Sequence, residues 1–224
     1  ITLRALNNMT SAGAVIPYSA SRANGAHAYA NPSGGGVLSG NGAEVDANAN
    51  AALDTQVGST TTLSSGSTIS LASYTSNLAD AKGYGIVIGG LTVGVIVTDA
   101  NANGNIKSRL EGNVTSGTTL TVETYALNTA DNTENLVAAG SLLAGNGLDM
   151  DAHADPIIDT YISGDVDTVS GNILVRTRSE GHAEVEGNGI TVGVGISIGG
   201  TAGEATVSPT INTYANGTPV KTTS

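Results

Sequence analysis

At 224 residues the chain could form one or two ordinary globular domains, yet it holds no Phe, Trp or Cys, and its only aromatics are seven Tyr. A net charge of −11 with eight basic residues excludes nucleic acid as a partner, since phosphate binding needs clustered Lys and Arg. The lack of Cys excludes disulfide frameworks and zinc–thiolate sites, and the most apolar run, 85–97, is too short and too Gly-rich to insert directly into a membrane as a helix.

Repeats organise everything else. Acidic leaders recur at Asp46, Asp99, Asp151 and Glu204, at intervals of 53, 52 and 53 residues. Each is followed seven places on by an aliphatic residue (Leu53, Ile106, Ile158, Ile211) and nine places on by a hydroxyl (Thr55, Ser108, Thr160, Thr213). A second marker, Ile1–Ala5, Ile69–Ser73, Leu120–Thr124 and Ile173–Thr177, keeps the same register. Two independent markers in one register define a tandem array with units 1–68, 69–119, 120–172 and 173–224.

Unit one carries about fifteen extra residues between Asn7 and Gly36, where repeat arrays place loop insertions, often on an interaction face. In unit two, Ile86–Val97 combines β-branched residues with Gly and predicts a strand or strand pair buried on both faces. Unit three replaces it with Leu136–Ala144, where a single helical turn competes with strand. In unit four, Ile173–Glu186 alternates polar even positions with small or apolar odd ones, which predicts a long strand with one solvated face. Gly/Asn turns separate about three extended segments per unit. The chain therefore reads as all-β: a β-solenoid-like stack of four units or, alternatively, a row of small antiparallel modules. Ile1 without an initiator Met predicts a processed form or an excerpt, and Ser224 lies where the marker would begin again.

The run Val192–Gly200 followed by Ala205-Thr206-Val207-Ser208-Pro209-Thr210-Ile211-Asn212-Thr213-Tyr214 resembles repeats of large leukotoxin-type filamentous adhesins. The resemblance is strong in unit four and only in outline in unit one, and units one and two lack the proline and tyrosine. It implies an extracellular structural or adhesive role, at a cell surface or in a biofilm matrix, with no catalytic residues to carry over.

Asp149, Asp151, His153 and Asp155 alternate, so a strand would present all four on one face, a set that could bind a metal ion. Glu44, Asp46, Asn48 and Asn50, and Asp99, Asn101 and Asn103, repeat the pattern. Stacked units would turn Asp46, Asp99, Asp151 and Glu204 into a ladder about 5 Å apart, repelling by about 1 kcal/mol per pair in water. A Ca²⁺ ion would relieve this; a solvated acidic face with distant units would not need one. The Asp99–Gly104 opening of a calcium loop lacks the acid at its twelfth place, Leu110, so no EF-hand is expected. Asn8, Asn113 and Asn216 begin glycosylation sequons, the last two expected in equivalent turns of units two and four. Tyr161 and Tyr214 share one repeat position and are expected to stack or to cap a sheet edge, and Lys82, Lys107 and Lys221 are candidate isopeptide donors.

No nucleophile elbow or phosphate loop is present, and a lyase-like carboxylate cluster lacks the aromatics of a sugar groove, so no enzyme and no required cofactor are expected. The expected role is a structural protein of an extracellular filament that assembles with copies of itself, as a head-to-tail homopolymer or a covalent tandem array. The alternatives are an adhesive stalk binding host or matrix glycans, and a secreted carbohydrate-active enzyme on a solenoid.

Overall fold

The computed structural model describes residues 1–7, 9–11, 14–15, 25–217 and 220–222. These are all-β, with no helix among them. The first rung comprises β1 (Thr2–Asn7), the short pair β2 (Met9–Ser11) and β3 (Ala14–Val15), β4 (Ala26–Ala30), β5 (Ser33–Asn48), β6 (Ala51–Val57) and β7 (Thr62–Ser64). The second holds β8 (Thr68–Asn101), β9 (Gly104–Leu110) and β10 (Asn113–Ser116). The third holds β11 (Thr119–Ala154), β12 (Ile157–Ile162) and β13 (Val166–Val169). The fourth holds β14 (Ile173–Val207), β15 (Thr210–Ala215) and β16 (Val220–Thr222).

Pairing between rungs is parallel throughout, with β8 joined to β11 and β11 to β14, β6 to β9 to β12 to β15, and β7 to β10 to β13 to β16. Antiparallel pairing among the described residues is confined to β2 and β3, so the row of antiparallel modules is not what forms. Parallel strands need a long crossover between them, and here each unit is that crossover. The register of β1 on β8 is Thr2↔Ser70, but that of β4 is Ala26↔Ala79. The extra residues of unit one therefore lie between Asn7 and Ala26.

Two interiors result, both thin. In the first, side chains of all three parallel sheets meet: Leu71, Leu120 and Val122 pack with Leu110 and Ile162 and with Val114 and Val166. Beside it the repeated hydroxyls zip two sheets together. Thr55 Oγ1 donates to Ala72 O (2.9 Å), Ser108 Oγ to Glu123 O (2.8 Å) and Thr160 Oγ1 to Thr124 Oγ1 (2.8 Å). Satisfying each buried hydroxyl in this way removes its desolvation cost.

The second interior is made by one strand doubling back on itself. A Cβ placed on Gly83 would fall 2.4 Å from Ile96 Cγ2, and one on Gly94 would fall 3.3 Å from Val87 Cγ2. The outgoing limb, ending near Gly89, thus lies against the returning limb, 91–97, and together they form an arm. Asn146 Nδ2 ties the limbs across this gap, donating to Val137 O (3.3 Å) and Ile190 O (2.8 Å). The segment Ile86–Val97 is consequently buried on one face only: Val87 and Ile96 are inside, whereas Ile86, Ile88, Leu91, Val93 and Val95 are exposed. Apolar composition predicts two buried faces, but among the described residues nothing covers the outside of the arm. Leu136–Ala144 is strand within β11.

Burial follows rung number more than residue type. Ile1, Ile69, Leu120 and Ile173 form one column, yet Ile69 and Leu120 are 1% and 0% exposed while Ile1 is 45% exposed and Ile173 half-buried. The odd positions of Ile173–Glu186 are likewise half-buried, apart from exposed Gly181, because no described strand pairs with the far side of β14.

Leu120→Ala should cost about 2–5 kcal/mol, as for other buried Leu truncations. Ile173→Ala, in the same column of the last rung, should cost distinctly less in the isolated chain. Urea unfolding of the two variants measures the difference.

Candidate functional site

The acidic leaders form a ladder. Asp46 is the register partner of Asp99, Asp99 of Asp151, and Asp151 of Glu204, one residue from each rung. Asp149, Asp151 and His153 share the outward face of β11, because the alternating Met150, Ala152 and Ala154 fill the inner face. Asp155 follows the end of that strand, and its backbone N–H donates to Asn103 Oδ1 (2.8 Å). Asn101 Nδ2 donates to Asp99 Oδ1 (2.9 Å), and His153 sits in register with Asn101 and Thr206.

The electrostatics match this placement. Desolvation holds the Asp151 carboxyl above its ordinary value, and neighbouring Asp149, Asp99 and Glu204 push the same way against the opposing effect of His153. Among the described residues no three acidic or imidazole groups converge to hold a metal ion. The ladder is spread along a sheet face, one carboxylate per rung, rather than gathered around a point.

On the opposite sheet, charged and polar groups of three rungs join. Arg109 donates through Nε to Asp54 Oδ1 (2.9 Å), through Nη2 to Gln56 Oε1 (3.1 Å) and through Nη1 to Glu111 Oε1 (3.3 Å). Tyr161 Oη donates to the same Glu111 oxygen (2.7 Å), and the Tyr161 ring stacks on Tyr214 with centroids 4.9 Å apart and planes 2° from parallel. Of the two expectations for these tyrosines, stacking is what the rings do. The bonds from Tyr161 and Gln56 hold the Glu111 carboxyl below its ordinary value. Burial, then the bond to Glu123, pushes Tyr74 up to about 12, and Arg176 Nη2 donates to Glu123 Oε2 from the fourth rung (2.5 Å).

No protein-family model, curated protein or solved structure matches this chain.

The remaining candidates are dispersed. Asn113 is exposed, and its Oδ1 accepts from Asp165 N–H (3.2 Å). Asn216 is exposed and takes the turn position of Ser163 and Glu111, two residues before that of Asn113, so the two sequons are not equivalent. Asn8 lies outside the described residues, as does the side chain of Lys221. Lys82 pairs with Glu134 (2.6 Å) and Asp80 (3.7 Å); burial opposes its charge, but these partners raise its pKa. Lys107 pairs with Asp159 (3.4 Å).

The surfaces that composition and motifs do not single out are the two ends of the stack. Among the described residues β14 and β15 pair only with β11 and β12, and β1, β4, β5 and β6 pair only with β8 or β9. Both end rungs thus present open edges of unpaired N–H and C=O groups. Only the unit count, combined with parallel pairing, could have located them.

Because Asp151 has a raised folded-state pKa, the folded state holds its proton more tightly than the unfolded chain. Its ionisation therefore costs stability as pH rises from its unfolded value of 3.8 through the folded value. Asp151→Asn should raise Tm at pH 7, with the gain shrinking as pH falls towards 4. Glu111 has the opposite sign: its stabilisation is present above 4.5 and is lost as pH falls through its lowered pKa, so Glu111→Gln should lower Tm at pH 7. Thermal melts across this range check both.

Proposed function

We propose that the chain is a structural segment of an extracellular filament, its rungs the coils of a β-solenoid that continues from one copy to the next. One observation carries this reading: the end rungs expose the same columns that the inner rungs bury. Leu53, Ile106, Ile158 and Ile211 are in register; Ile106 and Ile158 are fully buried, whereas Ile211 is 46% exposed. Continuing the register places Leu53 of a second copy on Ile211 of the first, and β1 and β5 of the second on β14. The same junction would arise within one chain as a covalent tandem array. Heterologous contacts that do not close into a ring extend indefinitely.

The charges at such a junction are mixed. By column, Glu184 meets His27 and Asn212 meets Asp54, but Arg176 meets Arg4 and Glu204 meets Asp46. Each exposed like pair at rung spacing costs about 1 kcal/mol in water. That is small beside a full row of backbone bonds and newly buried aliphatic side chains. Salt screens the repulsion and leaves apolar burial, so assembly should strengthen with ionic strength.

A composition low in Lys and rich in Asn, Thr, Ser and Gly, with a net charge of −11, and the likeness to leukotoxin-type adhesin repeats support an extracellular, cell-surface setting, with no enzymatic role. A Ca²⁺ ion bridging the carboxylate ladder belongs to the same proposal; a Tm that EDTA leaves unchanged would remove it.

Electron microscopy of the purified chain should show fibres that lengthen with added salt. Their axial period should be about 19 Å, from four rungs about 4.8 Å apart. Ile211→Asp should abolish fibres and leave the Tm of the single chain nearly unchanged. Monodisperse particles at every concentration would sink the filament and favour an isolated binding stalk.

A further inference from the structure

Resting on that axial stacking, we propose that the outer face of the returning limb is a lateral docking surface for a second copy, pairing two stacks antiparallel. Four columns make this face. At the tip Leu38, Leu91, Leu143 and Ile196 are in register, and all are exposed. Next come Gly40, Val93, Gly145 and Ile198, then Gly42, Val95, Gly147 and Gly200, and at the base Glu44, Val97, Asp149 and Ala202. In the two middle columns glycines lie on the first and third rungs, and large side chains stand on the second rung (Val93, Val95) and, at Ile198, on the fourth. The result is an alternation of apolar ridge and furrow, with a groove of about 260 Å³ between Val93, Ile198 and Gly145.

The furrow glycines are not demanded by the fold. A Cβ on Gly40, Gly42, Gly145 or Gly147 would meet nothing nearer than 3.5 Å, and none of them has a positive φ. Inside the arm the opposite holds: a Cβ on Gly94 or Gly199 would come within 2.8 or 2.6 Å of an Asn side-chain oxygen. Glycine weakens a strand interior and marks places where another chain approaches closely. Outside the arm the described residues offer no such neighbour.

A second copy does. A two-fold axis running along the strands, between the second and third rungs, sets first rung against fourth and second against third. Val93 and Val95 then enter the furrows at Gly145 and Gly147 of the other copy, and Ile198 enters the one at Gly40. Leu91 meets Leu143 and Leu38 meets Ile196 at the tip. Only the Gly42–Gly200 position stays unfilled. At the base Glu44 faces Ala202 and Asp149 faces Val97, so no two carboxylates oppose each other within the face. One step further the ladder of Asp46, Asp99, Asp151 and Glu204 would face its own copy, and like charge ends the patch there. An isologous contact of this kind closes on itself.

Area decides when the pairing forms. Seven residues by four rungs cover about 23 by 19 Å, roughly 440 Å² per copy. Stable interfaces bury about 800 Å² per partner. A lone copy therefore pairs weakly, and two axially stacked copies suffice, so lateral pairing should follow filament growth.

The native chain has no Cys, which makes thiol placement unambiguous. Val93→Cys and Gly145→Cys preparations are mixed under assembly conditions, oxidised and run on a non-reducing gel. The expected result is a covalent dimer in the mixture that is lost with either variant alone, since disulfides require Cβ atoms about 3.5–4.5 Å apart. In parallel, Gly40→Leu with Gly145→Leu should give single filaments where the native chain gives paired ones, with unchanged far-ultraviolet circular dichroism. Native filaments that stay single, with no mixed dimer, would overturn lateral pairing and leave head-to-tail stacking intact. Mixed dimers without filaments would keep the lateral face and sink the stacking, and the absence of both would sink the two together. Co-sedimentation of the unpaired native chain with phosphatidylcholine vesicles would give the face to a lipid surface and overturn the pairing.

Discussion

Everything in this molecule depends on parallel backbone pairing between residues about 52 positions apart. Each strand reaches its neighbour only after the chain has passed through a whole unit, so every inter-rung hydrogen bond closes a long loop. Such pairings are unfavourable one at a time and become stable only when many form together. In-register repetition is what makes this work. Once one column is aligned, every other column of the unit is aligned with it, and identical or similar side chains fall on top of one another.

That alignment explains the odd composition. A thin interior between closely spaced limbs has no room for Phe or Trp. It is filled instead by the aliphatic cluster around Leu120, by the alanines at positions 79, 81, 100, 130 and 152, and by Asn and hydroxyl side chains bonded across the gap. Inside the arm, Asn146 spreads over the places where Gly189 and Gly199 have no Cβ. In the column Asn41, Gly94, Asn146 and Gly199 large and small residues alternate rung by rung, which packs this narrow layer without voids.

Stacking like on like also has a cost. The ladder from Asp46 to Glu204 places four carboxylates side by side, and Asp151 has a raised pKa from burial first and from the neighbouring carboxylates after it. Elsewhere the units diverge just enough to convert repetition into complementarity. Arg109 lies between Asp54 of the rung before and Tyr161 of the rung after, and Arg176 lies over Glu123. The columns at the ends of the stack keep their apolar character without the neighbour that buries it, and the proposed filament follows from that.

The all-β class, the unit length and the sharing of columns by Asp46, Asp99, Asp151 and Glu204 were legible in the sequence, because a side chain's place in a repeat is set by counting. Stacking of Tyr161 on Tyr214 was legible as one of two outcomes for the same reason. Strand direction was not, since parallel and antiparallel pairing demand the same alternation of buried and exposed residues. Nor was the exposure of Ile86–Val97: an apolar stretch looks alike whether both its faces are covered or only one, and what covers a face is decided by residues remote in the chain. The sequence by itself determined which residues recur and in what register. Only the tertiary structure decided that the chain doubles back near Gly89 and that no described residue covers the outside of the arm or either end of the stack, because burial depends on the neighbour across the gap as much as on the residue.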